Sequence, residues 1–113
     1  MRIIRDTLTR NELRQMAAGM FGDMVKAVVD VDRELIAVDA ELHADLEALL
    51  LEDGSSQKSL WGINLYPALD GEQFVEFDSM INMRPSQGNR SRGIENDAVR
   101  TKVMSVVAKR VGR

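Results

Sequence analysis

The chain of 113 residues contains no cysteine; it has the length of one soluble domain, 1–113, and disulfides, thiolate catalysis and cysteine-based zinc sites are excluded. No apolar run approaches the ~20 residues of a membrane helix, and the opening MRIIRDTLTRNE has no apolar core of secretory type, so a cytoplasmic protein without a membrane partner is expected. The net charge of −3 is polarised: residues 1–72 hold 14 acids and 7 bases, residues 73–113 hold 4 acids and 8 bases, a division that suits either a plain solvated surface or a homodimer pairing acidic with basic faces.

From the N-terminus, Ile3 and Ile4 in MRIIR form a short strand or an ordered arm. Thr9 and Glu12 have the spacing of a capping box, in which each side chain satisfies the other's free backbone N–H at a helix start. Leu13, Met16, Ala17, Met20 and Phe21 then share one face at helical spacing, and Gly22 is the stop. Two arms of period-two alternation follow. Val25, Ala27, Val29 and Val31 line one side of the first, and Ile36, Val38, Ala40 and Leu42 one side of the second. The pattern predicts a β-hairpin with one buried face, turning at Asp32-Arg33-Glu34. That turn has no glycine, so its type stays open. The stretch Asp30–Glu34 lacks the glycine and distal glutamate of a calcium loop and reads as a solvated turn.

Leu46, Leu49 and Leu50 return to helical spacing, with Asp45 as N-cap and Gly54 as the end. A start at Asp39 is the alternative, because Leu42 and Leu46 are also four apart. SLWGINLYP is a third strand closed by Pro67, ALDGEQ a turn, and FVEFDSMINMR a fourth strand. Asn96 or Asp97 then caps a last helix with an apolar stripe of Val99, Val103, Val106, Val107 and Val111. The fold class is therefore α+β: two antiparallel hairpins in a roughly four-stranded sheet with three helices, in the order α-β-β-α-β-β-α, with room for an extra short N-terminal strand. Three helices on one face leave the other uncovered, showing Glu41, His43, Glu76, Asp78 and Asn82.

The stretches ELHADLEALLLEDGS, LWGINLYP and EFDSMINMRPSQGNRSRGIE resemble those of a family of short uncharacterised prokaryotic proteins, a domain of unknown function. The resemblance spans nearly the whole chain. It implies a single compact bacterial or archaeal domain and carries no assigned activity, so no catalytic residue follows from it.

The most unusual stretch is RPSQGNRSRG, residues 84–93. Gly88 and Gly93 permit positive φ, and successive N–H groups in such turns form anion-binding nests. Arg84, Arg90 and Arg92 add planar forks suited to phosphate or carboxylate, and Ser86, Gln87, Asn89 and Ser91 add further donors. These seven side chains are the candidate ligand-binding set, for an anionic small molecule or an acidic protein face. The competing reading pins Arg90 and Arg92 to the chain's own acids, and Glu95 and Asp97 would repel an anion. No Walker or Gly-x-Gly-x-x-Gly spacing is present.

His43 is the only histidine. With Glu41, Asp45 and Asp78 it suggests an alternative, a small hydrolase or metal-dependent enzyme using imidazole as base or ligand. One histidine supplies one nitrogen ligand at most, and no nucleophile stands beside it in sequence. The binding module is therefore preferred, with no catalytic residue, metal or cofactor assigned. Trp61, Tyr66, Phe74 and Phe77 read as core rather than as base-stacking platforms. Lys102, Lys109, Arg110 and Arg113 make a basic stripe too thin for nucleic acid, which a pI near 5.1 also disfavours.

Overall fold

The computed structural model describes residues 1–112; Arg113, counted above in the basic stripe, lies outside the described residues. Among the described residues the architecture is α+β, with three α-helices and a five-stranded antiparallel sheet. In chain order the elements are β1 (Arg2–Ile4), α1 (Arg10–Gly19), β2 (Val25–Asp30), β3 (Leu35–Val38), α2 (His43–Glu52), β4 (Leu60–Leu65), β5 (Val75–Glu76) and α3 (Asp97–Arg110). The sheet order is β1-β3-β2-β4-β5. MRIIR is thus an edge strand, paired with β3 from Arg2 opposite Val38 to Ile4 opposite Ile36, and it raises the expected strand count from four to five.

Helix starts follow the sequence closely at two places. The Thr9–Glu12 capping box forms at α1, and the Asn96 side chain accepts from Ala98 and Val99 at the start of α3. At α2 the expectation fails. Leu42 is the cap residue and Asp45 sits inside the first turn, where a carboxylate favours the positive end of the macrodipole instead of capping it. The glycine-free hairpin turn is closed by Asp30, whose Oδ1 accepts from the N–H groups of Asp32 and Arg33 at 2.9 Å, while Glu34 takes the left-handed conformation at φ +57°.

The larger correction concerns the sheet's second face. Val25, Ala27 and Val29 of β2 join Ile36, Val38, Trp61, Ile63 and Leu65 in one core, against Leu13 and Ala17 of α1 and Val103, Val106 and Val107 of α3. The alternate positions Val28, Leu35, Ala37 and Leu60 form a second core with Leu46 and Leu50 of α2. The helices flank the sheet on both sides. Asn82, expected on a wet face, is fully buried. Met20 and Phe21, expected on the buried stripe of α1, are exposed past its end.

The fourth strand is also shorter than FVEFDSMINMR predicts. Only Val75 and Glu76 pair with β4, opposite Leu65 and Asn64. The chain then leaves the sheet and folds into a 3-10 turn, Met80–Asn82, whose N-cap Ser79 accepts from the N–H of Ile81. Where β5 stops, the Asn82 side chain replaces it: Oδ1 accepts from Gly62 N–H at 2.8 Å and Nδ2 donates to Gly62 O at 2.9 Å. One amide thereby satisfies both backbone groups of an otherwise open strand edge.

Candidate functional site

The loop 84–93 divides into buried and exposed parts. Arg84 is buried, and its guanidinium donates to Gln57 O at 2.7 Å and Leu60 O at 2.6 Å while stacking 4.0 Å from the Trp61 ring. Asn89 is buried as well and is the hub of the loop. Its Nδ2 donates to the carbonyls of Asn82, Ser91 and Gly93, and its Oδ1 accepts from Glu95 N–H. Backbone bonds in both directions between Arg84 and Asn89 close the turn, with Gly88 at φ +86°. Ser86, Gln87, Arg90, Ser91 and Arg92 are exposed.

An anion nest does form here, and the chain fills it itself. Successive N–H groups of Arg90 and Ser91 both donate to Glu95 Oε2, and these two bonds hold the Glu95 carboxyl below its usual range. Glu95 is the nest's ligand. Arg92 is likewise engaged, its Nε donating to Asp78 Oδ1 at 2.7 Å. This pair still faces an open space, because both residues line a cleft of about 560 Å³.

That cleft is built by strand register. Lys26 of β2 lies opposite Asn64 of β4, which lies opposite Glu76 of β5. A polar row thus crosses three strands on the α2 face, and Tyr66 continues the same side of the chain. Each residue of this row lines the cleft. The start of α2, with Leu42 and His43, forms one wall; the segment 78–81 and Arg92 form the other. Asn64 Nδ2 donates to Glu76 Oε1 at 2.8 Å and to Asp78 O at 3.3 Å, and Tyr66 OH donates to the same Glu76 oxygen at 3.0 Å. Two acceptors at Nδ2 fix the orientation of the Asn64 amide. Its Oδ1 is buried and has no hydrogen-bond partner among the described residues, in a residue only 5% exposed. A buried amide oxygen without a donor costs roughly 1–3 kcal/mol, and this one is closed off from the cleft as well as from solvent.

His43 enters the same cleft in a fixed tautomer. Its Nε2 lies 2.8 Å from Ile63 O; a carbonyl only accepts, so Nε2 carries the proton and the neutral ring keeps its lone pair on Nδ1. Burial holds the imidazole pKa below its ordinary value, against the opposing pull of the Ile63 carbonyl. Glu41 and Asp45 are exposed and do not line the cleft, whereas Asp78 does. Among the described residues no group of three or more His, Asp or Glu side chains is placed to hold a metal ion.

The structure therefore joins Arg92, His43, Asp78 and Glu76, which the sequence singled out, to Lys26 and Asn64, which it did not, and to Tyr66, which was read as core and instead lines the cleft half-buried. The missed residues sit at strand ends in ordinary alternation, and only the register brings them together. A cleft of similar size, about 600 Å³, lies at the start of α1. Its Arg10 is already bonded to Pro67 O, Leu69 O and Asp70 and stacked on Phe74. A family model described as "Protein of unknown function (DUF5674)" matches residues 2–110. No curated protein and no solved structure matches the chain. The chain belongs to that family.

Proposed function

We propose that this member of the DUF5674 family is a binding module for a small polar molecule, held in the cleft between the start of α2, the β4–β5 end of the sheet and Arg92. The observation that carries this reading is the convergence of Lys26, Asn64, Glu76, Asp78 and Arg92 on one open cleft. Ligand sites combine a concave pocket of roughly 300–1,000 Å³ with a few convergent polar groups, and about 560 Å³ with Lys26, Asn64, Glu76, Asp78 and Arg92 meets that description. The loop 84–93 contributes Arg92 as a contact for an anionic group of the ligand; Arg84 and Asn89 hold the wall in place. The alternative hydrolase reading uses the same cleft, since the bare Nδ1 of His43 shares it with two carboxylates.

A thermal-shift screen with amino acids, nucleotides, sugar phosphates and divalent cations tests the proposal. At least one compound raises the melting temperature of the wild-type chain, and Asn64→Leu abolishes that rise. A ligand whose stabilisation survives Asn64→Leu binds elsewhere and overturns the assignment. Conversion of the bound compound to product, lost in His43→Gln, would establish the catalytic alternative.

A further inference from the structure

The cleft's charges define its guest more narrowly, and this step rests on the binding role just proposed. Lys26 and Arg92 are cationic, and Glu76 and Asp78 are anionic. A purely anionic guest meets two carboxylates, and a purely cationic one meets an ammonium and a guanidinium. Each carboxylate engages its protein partners through one oxygen, Glu76 through Oε1 and Asp78 through Oδ1, which leaves the other to accept from a ligand. The rim is apolar: Leu42 is 56% exposed and Met80 64% exposed, and both line the cleft. An isolated apolar side chain at a surface is ordinary, but two on facing walls above a polar floor complement a molecule with one charged end and one apolar end.

We infer that the cleft recognises a zwitterion with a primary ammonium, a carboxylate and an apolar side chain, the chemistry of a free α-amino acid. The ammonium donates to the free carboxylate oxygens of Glu76 and Asp78. The carboxylate is met by Lys26 and the free face of Arg92. The side chain lies between Leu42 and Met80.

Amide NMR titration with leucine, methionine and phenylalanine tests the assignment. N-acetyl-leucine, which lacks the ammonium, and leucinamide, which lacks the carboxylate, are the matched controls. The free amino acids shift the amides of Lys26, Asn64, Glu76 and Asp78, and each control binds about tenfold or more weakly, because a site built for a donor or an anion rejects the analogue without it. Lys26→Met weakens leucine and leaves leucinamide unchanged, and the same spectra show whether that variant is folded. N-acetyl-leucine binding as well as leucine would overturn the zwitterion. If no amino acid shifts the cleft while a nucleotide or sugar phosphate does, the ligand class is wrong and the binding role stands. If no compound perturbs the cleft, both fail.

Discussion

His43 carries a test that needs no ligand. Its imidazole is held below its ordinary pKa by burial, so the unfolded chain binds a proton more readily than the folded one. The folded state therefore has its full advantage above the unfolded value near 6.5, and loses it as pH falls through the folded value. Urea midpoints at pH 7.5 and pH 5 measure the loss. The wild-type midpoint drops more than that of His43→Gln, which keeps a donor for Ile63 O but does not titrate. Parallel drops in the two proteins would show that the ring is solvated and its proton free. Thr9, Glu12 and Asn96 were legible because capping is local: donor and acceptor lie within three residues. Asn82 and Asn89 were not, because their partners are backbone groups up to twenty residues away. The donor-rich loop was conspicuous, yet composition cannot distinguish an arginine that waits for a guest from one spent on two carbonyls and an indole.

At the scale of elements, the cleft depends on where β5 ends, and that depends on Gly62. A Cβ built there would lie 2.5 Å from both Cβ and Oγ of Ser79 and 3.1 Å from Ile81 Cγ1. None of these is the far end of a flexible chain, so the segment 79–82 must move away from β4. That movement breaks the paired bonds between Asn82 and Gly62 and displaces Ser79, Met80 and Ile81 from the cleft wall. Gly62→Ala is expected to destabilise the chain by about 3 kcal/mol, the upper end of overpacking costs, read as a lowered urea midpoint, and to weaken any ligand of the cleft. A change under about 0.5 kcal/mol, the scale of an ordinary surface substitution, would mean that the segment packs loosely. The sequence offered only part of this. Gly62 lies mid-strand in SLWGINLYP, where glycine signals a close backbone approach without naming the neighbour; the alternation of FVEFDSMINMR, meanwhile, continues past the point where pairing stops.

For the whole molecule, the decisive difference is a sheet covered on both faces rather than one. Both strands β2 and β3 carry the sign of it in their residues. Val28 and Val29 are adjacent and both apolar, and Leu35–Val38 is apolar at every position, the composition of strands buried on two sides. Reading alternation as a single buried stripe hid this, and it also misplaced α2, which the second face requires. The charge polarity is partly resolved inside the chain: Lys109 of α3 pairs with Glu34 in the hairpin turn, and Arg110 donates to the carbonyls of Glu34, Arg5 and Asp6, tying the basic C-terminal helix to the acidic half. The two cores share the sheet between them, so neither is a satellite. Leu46 is fully buried against Val28, Ala37 and Leu60 in the second core, and Leu13 occupies the first. Truncation of a buried leucine to alanine costs about 2–5 kcal/mol, so Leu46→Ala and Leu13→Ala are expected to destabilise to a similar degree. For each variant, the fluorescence of Trp61 and the helical circular dichroism should lose signal at one common urea concentration, because strands shared by both cores make unfolding cooperative. A Leu46→Ala variant that loses helical signal while Trp61 stays native would separate α2 from the rest, and the cleft would then rest on a wall able to open independently.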